Sequence, residues 1–192
     1  MNFEGHLKGA VVAGAGAVAL AVVTGYAPLD GDDLNALIAA PLDSHPFWLL
    51  GGIFASAGFM ALFPDLDTAS IPQRWFLRMM FVLLVLAHLA GRDDLFAVLA
   101  FAALLPLLHK HRGWTHWKLT PWLVAVFLAV VYEVFRARAA WFGGFSWQNV
   151  GGFLAEYWMF VLAAVMGHYT HLLLDRRSVR WLPFVRNPPN HH

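Results

Sequence analysis

An all-α, polytopic transmembrane helical bundle of about six helices is the fold class predicted for this chain, and three observations carry it. Of its 192 residues, 59% are hydrophobic and only 13% charged, where soluble domains hold about 45–50% apolar and about 25% charged residues. Apolar runs that approach or match the ~30 Å hydrocarbon layer recur along the chain, bounded by proline, glycine or charge. Lysine and arginine then fall mostly on one side of the arrangement, as the basic bias of cytoplasmic loops requires.

The six segments are 5–26, 47–64, 74–90, 94–109, 120–136 and 153–175. The first, "HLKGAVVAGAGAVALAVVTGY", has small residues and Lys8 in front like a signal peptide, but its apolar run of about twenty residues exceeds the 7–15 of a signal core. It is expected to remain as a helix. Gly9, Ala13 and Ala17, at four-residue steps, would let a neighbouring backbone approach closely. The second segment ends at Pro64. The third and fourth are short and joined by "GRDD", Gly91 to Asp94, which predicts a tight hairpin that does not reach fully across. No linker, charge block or internal repeat divides the chain, so residues 1–186 are expected to form a single integral-membrane domain, with 187–192 a flexible tail.

With an inside N-terminus and six crossings, Lys8, Arg74, Arg78, Lys110, Arg112, Lys118, Arg176, Arg177, Arg180 and Arg186 share one side. Arg92, Arg136 and Arg138 fall on the other, with the acidic loop around Asp30, Asp32, Asp33 and Asp43. Both termini are therefore expected in the cytoplasm. Trp48, Trp75, Trp122, Trp158 and Trp181 lie near the proposed boundaries as interface anchors. The absence of cysteine removes disulfides and thiolate metal sites, leaving His, Asp and Glu as metal ligands. A net charge of +1 gives no reason to expect nucleic acid as a partner.

The informative residues are the polar ones. His6 opens the first helix, Asp65 and Asp67 in "FPDLD" close the second, "HKHRGWTHW" joins the fourth and fifth, and "GHYTHLLLD" closes the sixth. Four segments distant in sequence thus bring His and Asp to one membrane face. At about 100° per residue His168, His171 and Asp175 occupy an arc of about 60° on one helix face. Ionisable groups at membrane depth are costly and normally face a bundle interior or a water-filled cavity. Such a cluster is either a site or a hydrogen-bonded lock between helices, and the number of histidines favours a site. In "HRGWTH", Gly113 allows a tight turn that folds His111 and His116 toward one point, and Arg112 offers a planar fork suited to phosphate or carboxylate. Asp65 or Asp67 serves as a ligand, or as the partner that orients a ligand histidine. His45 and His88 map to the opposite side as structural residues. Glu133 and Glu156 lie elsewhere and are too few to draw a pathway through the membrane.

The set "FPDLD", "HRGWTH" and "GHYTHLLLD", in that order behind an N-terminal helix that begins with a histidine, resembles the YdjM-like family of membrane-bound, metal-dependent hydrolases over nearly the whole chain. The resemblance implies a multi-helix protein of the inner membrane with metal-dependent hydrolase character. Its pattern falls on His6, Asp65, Asp67, His111, Arg112, Gly113, Thr115, His116, His168, His171 and Asp175. Gly5 stands where the family often has threonine before the first histidine, so no hydroxyl is expected there. The His171–Asp175 spacing is also similar to the metal-binding helices of zinc-dependent phospholipases C.

Five histidines and three aspartates exceed what one tetrahedral ion uses, so one to three divalent ions are expected, zinc first, with manganese or iron also accepting such ligands. His6, Asp65, His111, His116, His168, His171 and Asp175 would share them. Asp67 would orient a ligand or act as base, Arg112 would stabilise developing negative charge, and Thr115 would assist them. Without a nucleophile elbow or P-loop, attack by a metal-activated water on a phosphoester or ester is the expected chemistry. The position at the inner leaflet points to a lipid or isoprenoid head group. The expected partners are the bilayer, such a substrate and a second copy in a homo-oligomer. A metal-ion transporter or channel, and a non-catalytic scaffold with a structural metal, are the alternative readings.

Overall fold

The computed structural model of the protein describes residues 3–27, 45–67, 69–108, 114–139 and 144–175. Within them the chain is helical, with no strand. Seven α-helices run in order: α1 (Phe3–Val23), α2 (His45–Leu62), α3 (Ile71–Leu89), α4 (Asp93–Leu104), α5 (Thr120–Ala139), α6 (Trp147–Glu156) and α7 (Trp158–Asp175). Three segments are long and apolar enough to cross a membrane, Phe3–Val23, Phe47–Asp67 and Thr120–Ala139, and α6 with α7, bent by 71°, passes the same test as a pair, either a broken span or a re-entrant loop. Each of the six expected segments carries a helix among the described residues, but α3, although 19 residues long, is not apolar enough for a span and α4 is too short. Arg74 and Arg78 interrupt the first half of α3, and α4 stops after 12 residues because Pro106 lacks the N–H that would continue it.

By its internal contacts the chain divides into two compact units, 1–61 with 121–192, and 62–120. In the first unit α1 and α7 run antiparallel: His6 meets Asp175 at one end, and Tyr26 stands edge-on to Trp158 at the other. Small residues permit that approach. Ala13, Ala17 and Ala21 of α1 form the core with Ile53 and Ala57 of α2 and Met159 and Ala163 of α7. Gly167 is the closest crossing, since a Cβ there would run into the Ala57 carbonyl oxygen. The expected continuous sixth helix breaks at Tyr157, whose backbone leaves helical geometry. The Glu156 carbonyl released by that break accepts the Tyr26 hydroxyl at 2.9 Å, and this keeps a backbone acceptor satisfied at the bend.

The second unit is the expected hairpin and its supports. Ser70 caps α3 by accepting the Gln73 N–H at 3.2 Å. Gly91, with φ +63°, turns the chain into α4, while Gly91 N–H reaches the His88 carbonyl and Arg92 N–H the Ala87 carbonyl. That double bond pattern needs a left-handed residue at Gly91. The 3-10 turn "FPDLD" is strapped to α3 through Ser70 Oγ to the Asp65 carbonyl (2.7 Å) and Gln73 Nε2 to the Leu66 carbonyl (3.0 Å). A second 3-10 turn, Trp114–His116, packs on it through Phe63 and Trp114, whose rings meet edge to face.

Candidate metal centre

Three of the expected ligands converge in the first unit. His6 sits in the first turn of α1, and His171 and Asp175 lie four residues apart on the last turns of α7, so one helix face carries both. Their ligand atoms all lie within 4.8 Å of one another. Asp175 bridges the histidines, with Oδ1 3.2 Å from His6 Nε2 and Oδ2 3.5 Å from His171 Nε2. The two imidazoles stack with centroids 4.1 Å apart and planes 15° from parallel. Both histidines are buried, whereas the Asp175 side chain is 26% exposed and forms the open edge of the group.

The tautomer of His171 follows from its other neighbour. Its Nδ1 lies 2.7 Å from the carbonyl oxygen of Ala61, which can only accept, so Nδ1 carries the hydrogen. Ala61 is in the last turn of α2, where a carbonyl has no partner in its own helix, and the bond satisfies both groups. A neutral His171 then directs its Nε2 lone pair at the Asp175 carboxylate. Such an arrangement is repulsive unless a cation, either a proton or a metal ion, lies among the three. His6 turns Nε2 to the same carboxylate, and its Nδ1 is buried with no hydrogen-bond partner among the described residues. Two imidazoles and a carboxylate match the ligand preferences of zinc, and a carbonyl holding the far nitrogen of a ligand histidine is the usual support of such a site. His168, one turn earlier on α7, is fully buried but is not one of the three whose ligand atoms converge.

Within the second unit Asp67, Thr115 and His116 come together. Thr115 donates from Oγ1 to Asp67 Oδ2 at 2.7 Å, and His116 Nδ1 stands 3.3 Å from that hydroxyl and 3.6 Å from the same carboxylate oxygen. The Asp67 and Thr115 side chains are enclosed, and Thr120 fixes the turn by donating to the Trp114 carbonyl. Asp65 lies partly buried at the head of the 3-10 turn. His111, Arg112 and Gly113 lie outside the described residues, as do Lys110, the acidic loop and the tail 187–192.

One polar centre escaped the reading of the sequence. Glu133 of α5, 1% exposed, accepts Arg136 Nε at 2.6 Å, Arg136 Nη2 at 2.7 Å, Ser146 N–H at 2.9 Å and Asn149 Nδ2 at 3.0 Å. The available signal was an acid inside an apolar span with an arginine three residues on.

The YdjM inner membrane protein family model matches residues 1–187 of the chain. No curated protein and no solved structure matches it.

Proposed function

The chain belongs to the YdjM inner membrane protein family, and we propose that this membrane protein is a metal-dependent hydrolase cleaving a phosphoester or ester of a lipid-like substrate. The observation that supports the reading is the His6–His171–Asp175 group, with the His171 tautomer set by Ala61 and its lone pair turned to a carboxylate. His6, His171 and Asp175 would hold the ion, zinc by preference. When bound, a divalent ion supplies Lewis acidity and lowers the pKa of a water toward about 7.

The chain's own residues do the rest. The Ala61 carbonyl holds His171 in its ligand tautomer, and the stacked His6 ring closes one side of the group to water. Asp175, as the exposed edge, leaves room for a substrate head group beside the ion it would help to hold. The group lies at the end of the α1 and α7 spans, the depth at which a lipid presents its ester bonds. A transporter would want uncommitted ligands along the span. Glu133, the buried acid of α5, is instead engaged by Arg136, Ser146 and Asn149, which favours the hydrolase.

Both termini are proposed to be cytoplasmic. Counting the α3–α4 hairpin as two crossings or as none leaves an even number beside α1, α2, α5 and α6–α7, the last taken as one span. Periplasmic activity of a C-terminal reporter fusion would reverse this orientation.

The function is tested on purified protein by elemental analysis of wild type, His171→Ala and Asp175→Asn. About one dication per chain is expected in wild type, with occupancy falling at least ~10-fold in each variant at limiting metal. Metal-free wild type, or variants that keep their metal, removes the site. Head-group-labelled phospholipid offered with and without chelator then reads the chemistry, and release that ignores the chelator removes the hydrolase.

A further inference from the structure

A cleft of about 290 Å³ opens in the first unit between α5 and α6. Tyr132, Glu133 and Arg136 line it from α5, and Asn149, Phe153 and Glu156 from α6. It belongs to the Tyr26 end of α1, since the Glu156 carbonyl holds the Tyr26 hydroxyl, whereas the His6 group stands at the other end of that 21-residue helix. The two sites are thus about 30 Å apart along a helix rising 1.5 Å per residue. Nothing in the metal centre uses this cleft.

Its chemistry follows from which charges are already satisfied. Glu133 accepts four hydrogen bonds, three on Oε1 and one on Oε2, so its carboxylate is committed to holding Arg136 and the start of α6 in place. Arg136 gives Nε and Nη2 to that carboxylate, with Nη2 also 3.5 Å from the Gly144 carbonyl. Its Nη1 has no partner among the described residues, and the Arg136 side chain is 37% exposed. A planar donor held this way suits a phosphate oxygen. The Glu133 and Arg136 charges cancel, which leaves Glu156 as the net charge of the lining. The Phe153 ring lies beside Tyr132 at 4.7 Å and Tyr157 at 4.6 Å between centroids. A carboxylate next to aromatic faces suits an ammonium group.

We infer that this cleft binds a zwitterionic group carrying one phosphate and one ammonium, the phosphate on Arg136 and the ammonium at Glu156 among the aromatic rings. A simple anion meets Glu156 as a like charge, and a simple cation leaves the Arg136 fork unused. The volume is at the low end for small-molecule sites, the size for a head group rather than a whole lipid. Trp147, Trp158 and Tyr132 are all well exposed at this end, the pattern of an aromatic belt at head-group depth. The source of the group is either a phosphatidylethanolamine head group or a free phosphodiester such as glycerophosphoethanolamine.

The test uses the full-length protein in nanodiscs holding equal phosphatidylethanolamine and phosphatidylglycerol, with retained lipids counted by native mass spectrometry. Wild type should retain phosphatidylethanolamine about fivefold over phosphatidylglycerol, and Glu156→Gln should bring the two to parity. Arg136→Lys, which keeps the ion pair with Glu133 but loses the planar fork, should lower retention of phosphatidylethanolamine. In a parallel arm glycerophosphoethanolamine is titrated into protein in detergent. Glu156-dependent binding there, without lipid preference in nanodiscs, assigns the cleft to the free ligand. Absence of a Glu156-dependent preference in both arms overturns the inference.

Discussion

Gly167→Ala tests how the closest helix crossing supports the candidate metal centre. An added Cβ would overlap the Ala57 carbonyl oxygen and stand 2.8 Å from the carbonyl carbon. Both partners are backbone, so no side chain can swing away. Relaxing the carbon–carbon contact to its ordinary 3.5–4.0 Å pushes α7 off α2 by about 1 Å. One turn further along both helices, His171 Nδ1 donates to the Ala61 carbonyl at 2.7 Å. The same displacement stretches that bond to about 3.7 Å, beyond hydrogen-bond range. The overpacking costs about 1–3 kcal/mol, and the lost bond adds about 1 kcal/mol. Loss of a partner that orients a ligand histidine lowers metal affinity about 10- to 100-fold. Thermal melting in nanodiscs and zinc competition with a chelator of known affinity read the two effects on one sample. A variant that melts with wild type and holds zinc as tightly would show that Gly167 does not set the spacing and that Ala61 does not orient His171.

Three further outcomes follow from individual contacts. Thr115→Val removes the hydroxyl that donates to the enclosed Asp67 carboxylate and should cost about 1.5–3 kcal/mol in melting or denaturant titration, and an unchanged midpoint would sink that role. Tyr26→Phe leaves the Glu156 carbonyl at the α6–α7 bend without its donor, so amide exchange should rise at 157–161 by a factor reflecting about 1 kcal/mol, with unchanged protection as the contrary result. Asp94, on the exposed hairpin, is held below the usual carboxylate range chiefly by the Leu95 N–H and further by the Arg92 guanidinium. Because the folded value is the lower one, its contribution is complete above the unfolded pKa and is lost as pH falls through the folded one. An NMR titration with its midpoint at or above the ordinary value of about 3.9 would refute this.

Composition and the recurrence of apolar runs were enough to read a membrane protein built of helices, because burial in lipid demands a sustained local signal. The hairpin was legible too, since Gly91 beside two aspartates marks a helix end and a helix start. So was the His–Asp content of the candidate metal centre, because ionisable residues at the ends of apolar runs stand out. What the tertiary structure decided was the grouping. Residues near opposite ends of the chain, His6 and His171, stack only because α1 and α7 pack antiparallel along small residues. Within the second unit, Asp67, Thr115 and His116 meet because two 3-10 turns pack on each other. The Ala61 carbonyl that sets the His171 tautomer carries no side-chain signature, and the break at Tyr157 has no proline to announce it. Glu133 looked like a stray acid until Ser146 and Asn149 closed on it from α6. Hydropathy and periodicity act between neighbours in sequence, whereas which helix faces which, and which backbone acceptor is left for a side chain, is settled only when the helices pack.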